Sequence, residues 1–455
     1  MNTDGLFSAT LRCRQSAYVR YASLLRLGYI LLKGGDVLCA DGQVRQTDIA
    51  ITGSVITQIG IVTDHAERII NCQDKLIIPG FVNTHTHAAM SLFRSYADDM
   101  MLMDWLKTKI WPAEENLTAE DVYWGSLLAI AEMLKTGTTC FADMYFFMPE
   151  VAKAVAESGI RAVLSRGMAG VAPTANQALA ESENFYKEWH LAANGRITVM
   201  LGPHAPYTCP PDYLKKVTAL AEKLGSQIHI HLSETAGEVA DCQKQYGKSP
   251  IALMEELGVL DHGVLAAHCV HVSPDDIAIM KNKNVRVAHN PGSNMKLASG
   301  VAPIPDMLNA GICVGLGTDG AASNNNLDML EELRLAAMLH KVHRLDPLAI
   351  PAKTAVDMAT SQGANALGLN KATGKLEVTY KADITVFDMQ EPHWHPRHDR
   401  LSLLTYAAGA RDVHTVIVDG KVLLDNRQLT TIDQERLIAE ADRRGMRLVS
   451  QTNLK

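Results

Sequence analysis

The chain lacks the cysteine patterns that build a disulfide framework or a structural zinc site. Its eight cysteines are scattered over 455 residues, and no two of them form a Cys-x-x-Cys pair. Single, scattered cysteines are typical of proteins that keep their thiols reduced. We therefore expect a cytoplasmic protein.

Long apolar runs and an excess of basic residues are missing as well. No apolar stretch reaches the ~18 residues that would span a bilayer, and 43 lysines and arginines are outnumbered by 50 aspartates and glutamates. The net charge of -7 argues against a nucleic acid or an anionic membrane as a partner, because both usually require a basic surface. The composition, 47% hydrophobic and 20% charged, is that of a globular protein with a large core.

The two ends of the chain differ from its centre. Residues 1–28 carry four arginines and one acid without a helical or strand period, and we interpret them as an N-terminal extension: a disordered tail, a transit peptide or the product of an upstream start codon. Alternating apolar runs with Gly-Gly, Asp-Gly and Thr-Gly turns fill residues 29–78, and a similar pattern returns at 383–430. We predict one small β-sandwich built from both ends, followed by a C-terminal helix within residues 431–455.

The centre of the chain, residues 79–382, alternates apolar strands with amphipathic helical stretches such as 119–135 and 211–224. Eight β/α units over about 300 residues predict an α/β fold, a (β/α)8 TIM-type barrel. The predicted strands are IIPGFVNTHTH, TTCFADMYF, RAVLSRG, ITVMLGPHAP, QIHIHLSE, VLAAHCV, VRVAHNPGSN and CVGLGTDG. In such a barrel the active-site residues follow the carboxyl ends of the strands.

Two histidines stand at the end of the first predicted strand. His85 and His87 are two residues apart, so in an extended strand their side chains lie on the same face. Two imidazoles side by side can bind one metal ion, although a pair of hydrogen-bonded core histidines is the alternative.

Further polar residues stand near the ends of the other predicted strands. They are Arg166 on strand 3, His204 on strand 4, His231 on strand 5 with Glu234 three residues further, His268 on strand 6, His289 on strand 7 and Asp319 on strand 8. Three histidines and an aspartate at one end of a barrel form a site for a divalent metal, with room for a water. We interpret His229, which lies one layer deeper than His231, as a residue that fills the barrel.

This arrangement resembles the amidohydrolase superfamily over the flanks and the whole barrel. The resemblance implies that His85, His87, His231 and Asp319 hold the metal, and that His268 lies close to the metal-bound water. Strand 4 offers no lysine of the kind that bridges two metals in binuclear members, so one divalent metal is expected. Mostly nitrogen ligation makes zinc the default, with iron and manganese as alternatives.

Four motifs narrow the resemblance: PGFVNTHTH from residue 79, GPHAPY from residue 202, HLSE from residue 231 and GTDGAASNN from residue 317. They are similar to those of deaminases that act on 5-methylthioadenosine and S-adenosylhomocysteine, in a branch that also contains triazine chlorohydrolases. The resemblance implies hydrolysis of an adenosine thioether, or of adenosine, to the inosine analogue and ammonia. Barrels of this kind often pair, which leaves a homo-oligomer open.

The chemistry suggests a role for three of these residues. A divalent metal lowers the pKa of bound water to about 7, which makes hydroxide available at neutral pH. Our hypothesis is that Asp319 takes the proton of this water, that His268 orients the hydroxide towards the carbon that bears the amino group, and that Glu234 protonates the ring nitrogen and then helps ammonia to leave. The alternative for Glu234 is a solvated loop acid.

The resemblance also implies the substrate contacts. Trp105 falls where these deaminases pack a tryptophan against the substrate, Glu114 where a glutamate accepts hydrogen bonds from the ribose, and His204 at a contact to the ribose or the base. A carboxylate suits a vicinal diol because it accepts from two donors. The alternatives are a core tryptophan, a glutamate that caps a helix and a structural histidine.

Arg166 falls where the resemblance places an arginine that contacts the substrate, and it could form a bidentate pair with a carboxylate. It could equally pair with a neighbouring acid. The family usually has a second arginine further along, but no arginine occurs between Arg166 and Arg196. Methylthioadenosine or adenosine is therefore expected to be a better substrate than S-adenosylhomocysteine.

Three rival interpretations remain open at this point. A guanine-like or triazine ring would leave Glu114 without a purpose, because such a substrate carries no ribose. A metal-binding barrel without catalysis would not need Glu234, His268 and Asp319 beside an open position. The cysteine-ligated zinc deaminases of nucleobases carry a Pro-Cys-x-x-Cys sequence that this chain lacks.

Overall fold

The computed structural model describes residues 28–452. The predicted N-terminal extension thus lies outside the described residues, apart from Gly28. Within the described part the chain is mixed α/β, and two different kinds of sheet are present.

Seventeen strands occur between residues 28 and 452. In chain order they are β1 (Tyr29–Leu38), β2 (Val44–Thr52), β3 (Val55–Gly60), β4 (Arg68–Asn71), β5 (Lys75–Pro79), β6 (Phe81–Thr86), β7 (Thr138–Tyr145), β8 (Arg161–Met168), β9 (Ile197–Pro203), β10 (His229–Leu232), β11 (Leu265–His268), β12 (Arg286–His289), β13 (Val314–Leu316), β14 (Ile384–Asp388), β15 (Val413–Val418), β16 (Lys421–Asp425) and β17 (Gln428–Leu429).

The helical segments lie mainly between and after the central strands. They are α1 (Leu102–Trp105), α2 (Trp111–Glu114), α3 (Ala119–Lys135), α4 (Met148–Ser158), α5 (Ala175–Trp189), α6 (Ala192–Gly195), α7 (Pro211–Leu224), α8 (Ala236–Tyr246), α9 (Pro250–Glu256), α10 (Pro274–Asn282), α11 (Pro291–Lys296), α12 (Ile304–Asn309), α13 (Ala321–Asn324), α14 (Met329–Arg344), α15 (Ala352–Ala359), α16 (Ser361–Ala366), α17 (Arg400–Tyr406) and α18 (Gln434–Thr452). A π-helical stretch, Leu106–Ile110, joins α1 to α2, and 3-10 turns cover Ala88–Phe93, Val259–His262, Pro392–Trp394 and Ala410–Asp412.

Local sequence explains where the helices begin and end. Helix α3 starts after Thr118, whose side chain accepts from the backbone of Asp121, while the Asp121 carboxylate accepts from the backbone of Thr118. Helix α7 begins on Pro211 and ends at Gly225, whose φ of 64° gives the left-handed turn that stops a helix. Both helices have the bounds expected from the sequence.

The two ends of the chain share one sheet of nine strands. Its order is β17-β16-β15-β14-β5-β1-β2-β3, with β4 also paired to β1. The ends meet where β5 runs antiparallel to β14, with Ile78 opposite Thr385. A separate apolar core fills this unit, and it includes Leu32, Ile51 and Val386, all fully buried.

Eight parallel strands form the centre, in two four-stranded sheets of order β6-β7-β8-β9 and β10-β11-β12-β13. Each of the eight predicted strands overlaps one of them, and only β8 extends past its prediction, by one residue at Met168. A parallel bridge between Leu201 and Ile228 links β9 to β10. On the other side the Thr84 hydroxyl donates to the Leu316 carbonyl, 2.9 Å away, which holds β6 against β13. The carboxyl ends of these strands therefore lie at one end of the molecule.

The outer faces of the central strands pack against the helices and form one large apolar core with them. In the described range, 28–452, no helix combines the length and the apolar character needed to cross a bilayer.

Candidate active site

Side chains from β6, β10, β11 and the loop after β13 converge at the carboxyl end of the parallel strands. Three of the residues involved leave their strands with a left-handed backbone: Ser233 with φ of 54°, His268 with φ of 71° and Asp319 with φ of 61°. Such a conformation costs on the order of 1–3 kcal/mol for a residue other than glycine and is found mostly at functional sites.

Five residues offer ligand atoms to a common point, and we call them the histidine–aspartate cluster. The imidazole nitrogens of His85, His87 and His231 lie within 4.8 Å of one another, as do ligand atoms of His85, His268 and Asp319. The Oδ1 atom of Asp319 is 3.5 Å from His85 Nε2 and 3.4 Å from His87 Nε2. The structure thus brings together the four residues predicted to hold a metal, with His268 beside them.

Hydrogen bonds fix the orientation of the ligand rings. His87 Nδ1 donates to the Met144 carbonyl at 2.7 Å, and His231 Nδ1 donates to the His204 carbonyl at 2.7 Å. Because a neutral imidazole carries one N–H, both Nε2 atoms then present a bare lone pair. These two lone pairs face each other across 3.3 Å.

His229 supports the third ring. His85 Nδ1 lies 2.8 Å from His229 Nε2, and His229 Nδ1 lies 3.5 Å from the Ser165 hydroxyl. If His85 donates along this chain to His229, its own Nε2 is free to bind a cation. The sequence predicts that His229 fills the barrel; the structure places it deep in the core, in contact with the ring of His85.

A divalent cation fits this arrangement of donors. The Nε2 atom of His85 is buried and has no hydrogen-bond partner within the described residues, and facing lone pairs repel each other unless a cation lies between them. Burial lowers the pKa of His85 to about 4, so this ring is neutral at pH 7. Neutral imidazoles with their second nitrogen held by an acceptor are the usual protein ligands of a divalent transition metal.

Two serines orient Asp319. Its Oδ2 atom accepts from the hydroxyl of Ser293 at 2.6 Å and from that of Ser323 at 2.9 Å, which leaves Oδ1 towards the histidines. Burial alone would raise the pKa of Asp319, but His85 and the other imidazoles outweigh it and hold this pKa well below the usual value. Neither serine is among the predicted site residues, although each lies in a short helix that closely follows a strand end, Ser293 in α11 and Ser323 in α13.

His268 and Glu234 lie beside the cluster. His268 Nδ1 donates to the Asn294 side-chain oxygen at 2.8 Å, so its Nε2 points into the site. This Nε2 atom is 3.9 Å from the carboxylate of Glu234. Burial would lower the pKa of His268, but Glu234 and Asp319 raise it above the ordinary value.

Glu234 is a buried acid rather than a solvated one, with 5% of its surface exposed. Burial is the main reason why the pKa of Glu234 is raised. The backbone N–H groups of Ser233 and Glu234 both donate to the Glu238 carboxylate, each at 2.8 Å, and this fixes the turn that carries Glu234. Glu238 was missed, but Thr235 and Glu238 form the Thr-x-x-Glu pattern of a helix start, which could have indicated it.

A cavity of about 300 Å³ opens from the cluster towards the surface. Trp105, Glu114 and His204 line it together with His87, His231, Glu234, His268 and Asp319. The rest of its wall is largely apolar: Met90, Leu102, Leu106, Ile110, Trp111, Met144, Tyr145, Phe146, Met168, Ala169, Val171, Tyr207 and Leu297. A small molecule with an aromatic face suits this wall.

The predicted substrate contacts reach the cavity from two directions. The helical segment 102–114 carries Trp105, whose indole N–H donates to the Ala97 carbonyl at 3.0 Å. The same segment carries Glu114, which accepts from the Tyr145 hydroxyl at 2.7 Å. Burial raises the pKa of Glu114 to about 7 even though this hydrogen bond lowers it. The imidazole of His204 is held by the Thr208 hydroxyl, 2.9 Å from its Nδ1 atom.

Arg166 differs from the other predicted contacts, because it does not line the cavity. Its Nε and Nη2 atoms donate to the Glu181 carboxylate at 3.0 and 2.7 Å. The pairing with a neighbouring acid, one of the two alternatives for this residue, is therefore the arrangement in the structure.

His289 lies apart from the cluster. Its Nε2 atom is 3.1 Å from His340 Nε2, and both rings are buried in the core between β12 and α14. Burial first, and then the nearby charges on α14, lower the pKa of His340 to about 4. The pair is thus neutral at pH 7 and belongs to the packing of the helix on the strands.

This pair predicts a loss of stability in acid. A histidine has a pKa near 6.5 in the unfolded chain, so between about pH 6.5 and pH 4 the unfolded state binds a proton that folded His340 does not. The contribution of neutral His340 to the unfolding free energy has its full value above pH 6.5. As the pH drops through this window, the unfolding free energy falls by up to about 1.4 kcal/mol per pH unit. We expect His340→Gln to reduce the difference in unfolding free energy between pH 7.0 and pH 5.0, as measured by urea denaturation. The exposed His65→Gln should leave this difference unchanged, and an equal fall in wild type and His340→Gln would contradict the assignment.

Comparison with known proteins agrees with this geometry. The sequence model described as "Amidohydrolase family" matches residues 76–423. A curated protein of Pelotomaculum thermopropionicum named 5-methylthioadenosine/S-adenosylhomocysteine deaminase is 53% identical over 430 residues, which is 93% of this chain and 99% of the relative. A protein of the same name from Dictyoglomus thermophilum is 51% identical, over 93% of this chain and 100% of its own.

Solved structures give the same fold. An adenosine deaminase from Xanthomonas campestris with bound zinc superposes with a TM-score of 0.89 and 35% identity, over 92% of this chain and 98% of its own. The atrazine chlorohydrolase of Arthrobacter aurescens TC1 superposes with a TM-score of 0.84 over 92% of this chain and 100% of its own. At 23% identity the second match is informative for the fold alone. Together with the family, these neighbours imply a TIM-barrel-type fold.

Proposed function

The chain belongs to the amidohydrolase family, and from this membership we propose that it is a metal-dependent deaminase of adenosine thioethers. The reaction adds water to the ring carbon that bears the amino group and releases ammonia, which leaves the inosine analogue of 5′-methylthioadenosine or S-adenosylhomocysteine. Two relatives with 53% and 51% sequence identity, aligned over nearly their whole length, carry the name of this activity.

One observation carries the proposal: a buried acid and a ribose-type acceptor share one cavity with the histidine–aspartate cluster. Glu234 lies at the cluster, whereas Glu114 lies on the helical segment over the cavity. A substrate that fills the cavity between Glu234 and Glu114 would place its ring at Glu234 and a vicinal diol at Glu114. A guanine or a triazine has no vicinal diol for Glu114 to bind.

The metal is proposed to be a single zinc ion, held by His85, His87, His231 and Asp319. Such an ion supplies an activated water at neutral pH. Three nitrogens and one carboxylate oxygen suit zinc, and strand β9 offers no lysine that could bridge a second ion.

The remaining chemistry belongs to the side chains around this ion. Asp319 faces the cluster through Oδ1 and accepts the proton of the attacking water, while the serines hold its other oxygen. His268 directs Nε2 to the same place and orients the attacking oxygen. The raised pKa of Glu234 favours the protonated acid, which donates to the ring nitrogen as the new C–O bond forms. The Glu234 carboxylate then takes the proton of the new hydroxyl group and passes it to the amino group, which leaves as ammonia as the C=O bond forms. The water proton held by Asp319 finally returns to Glu234, so that both carboxyl groups regain their starting states.

We also propose the domain arrangement that these elements suggest. Residues 79–382 form a (β/α)8 barrel, and residues 29–78 with 383–430 form a composite sandwich-like β-domain followed by the terminal helix. The link between β9 and β10, the contact between β6 and β13, and the separate apolar core of the end strands support this division.

The experiment that tests the function is ammonia release by zinc-loaded protein from methylthioadenosine, S-adenosylhomocysteine, adenosine, guanine and a chlorotriazine. We expect turnover of the adenosine thioethers and none of the last two. Turnover of guanine or the triazine alone would remove the role proposed for Glu114 and with it the function.

Glu114 itself gives a sharper prediction. At about pH 8.5, above its pKa of about 7, Glu114 is ionised. In Glu114→Gln the acceptor loses this charge, and hydrogen bonds to a charged group contribute about 1.5–3 kcal/mol. We therefore expect kcat/KM for methylthioadenosine to fall by about ten- to a hundredfold. With the 2′,3′-dideoxy analogue of the same substrate, wild type and variant should have nearly equal kcat/KM. An equal loss on both substrates would mean that Glu114 does not bind the ribose hydroxyls.

A further inference from the structure

We propose that Glu181 determines substrate preference by binding Arg166, so that the site favours nucleosides with an uncharged 5′ tail over those with an amino-acid tail. The inference rests on the proposed deaminase function and concerns a residue outside the cavity. Its basis is the position of Arg166, the composition of the cavity wall and the partners of Glu181.

The cavity offers no free cation to a carboxylate tail. Among the residues that line it in the described chain, none is a lysine or an arginine. Its wall includes apolar side chains such as those of Phe146, Met168 and Val171. A zwitterionic tail would lose water there without gaining a partner, which is costly, whereas a methylthio group would not.

Arg166 is the cation placed to change this. In the pairing of β7 with β8, Arg166 lies opposite Tyr145, whose hydroxyl donates to Glu114. The guanidinium stacks on Phe146, with its central carbon 5.8 Å from the ring centroid. Because Phe146 belongs to the cavity wall, one side chain separates the guanidinium from the cavity. Arg166 also lies on β8, the strand next to β7, which carries the Tyr145 partner of Glu114.

Glu181 keeps the guanidinium occupied. The Nε and Nη2 groups of Arg166 donate to one Glu181 oxygen, and Nη1 of Arg166 donates to the Gly167 carbonyl. The other Glu181 oxygen accepts from the Gln177 amide at 2.7 Å. A substrate carboxylate must therefore displace Glu181 before it can pair with Arg166.

The ion pair of Arg166 and Glu181 is partly exposed to solvent, and this exposure limits how strongly Glu181 competes with a substrate carboxylate. The side chain of Glu181 is 43% exposed and that of Arg166 is 16% exposed. Partly exposed ion pairs are weak, so the competition is expected to be moderate rather than absolute. S-adenosylhomocysteine should then be a substrate, but a poorer one than methylthioadenosine.

The test is the ratio of kcat/KM for S-adenosylhomocysteine to kcat/KM for methylthioadenosine, measured with zinc-loaded protein. We expect Glu181→Ala to raise this ratio by about three- to tenfold. The value of kcat/KM should rise for S-adenosylhomocysteine and stay unchanged for methylthioadenosine, and Glu181→Gln should give a smaller rise of the ratio. Glu183→Ala is the matched control: it removes the same charge from the same helix, where Glu183 pairs with Lys187 and Lys223. Its ratio should equal that of the wild type.

A second variant identifies the cation. In the Arg166→Gln background, Glu181→Ala should no longer raise the ratio, because the freed guanidinium is absent. An unchanged ratio in Glu181→Ala would overturn the inference, and so would a lower ratio, which would show that Glu181 accepts the ammonium group of the tail. If neither thioether were deaminated by the wild type, the proposed function would fail, and that outcome is distinct from turnover with an unaltered ratio.

Discussion

Glu234→Gln is expected to lower kcat for deamination of methylthioadenosine by about 10²- to 10⁴-fold, the usual contribution of a general acid–base group. The amide has the size and shape of the acid, so the turn held by Glu238 should persist. It cannot donate a carboxyl proton to the ring nitrogen or pass one to the leaving amine. Because Glu234 is not one of the proposed ligands, zinc content should remain that of the wild type.

The measurement separates the chemical step from binding. Steady-state kinetics should give a large fall in kcat with a KM that changes little, and metal analysis should return one zinc per chain. Glu222→Gln, which removes a charge from the exposed face of α7, should have wild-type kinetics. A loss of less than tenfold in kcat, with zinc retained, would rule out proton transfer by Glu234.

Where the sequence predicts correctly, a local physical rule is sufficient. The eight central strands are short apolar runs bounded by turn residues, and a strand buried on both faces requires that pattern. Helix α3 has a capping box at Thr118 and Asp121, and its bounds agree with the expected ones. The strand ends therefore place His85, His87, His231, His268 and Asp319 at the same end of the molecule.

Backbone groups account for part of what the sequence could not predict. The rings of His87 and His231 are oriented by the carbonyls of Met144 and His204, and any residue at those positions would supply a carbonyl. Ser233 and Asp319 have left-handed conformations although neither is a glycine, so the sequence does not indicate these conformations. Both features depend on tertiary structure rather than on residue type.

Side-chain direction at a strand end is a second limit. His289 follows the same strand pattern as His268, yet it pairs with His340 on α14. The next residue, Asn290, is the one that reaches His268, with 3.4 Å between the side-chain nitrogens. Because strand side chains alternate between faces, a shift of one position exchanges a residue of the site for a residue of the core. Arg166 shows a similar limit, since only the fold brings Glu181 to it.

Removal of the metal should have the other large effect. An ion held by the cluster contributes several kcal/mol to the reaction, so chelation of the protein should lower kcat/KM by on the order of 10³-fold or more, and added zinc should restore it. His231→Ala removes one of three imidazoles, and we expect it to lose bound zinc together with activity. The exposed His65→Ala should retain both.

Thermal stability gives a second readout that does not depend on catalysis. A ligand that binds only the folded state stabilises it by RT ln(1 + [L]/Kd), which is about 4 kcal/mol at a thousandfold excess over Kd. Wild-type protein should therefore show a rise in Tm when zinc is added after chelation, because the cation relieves the facing lone pairs of His87 and His231. His231→Ala lacks one of these lone pairs and should show a much smaller rise. An equal rise in both proteins would place the zinc elsewhere, and the proposed ligand set would then be wrong even if activity required the metal.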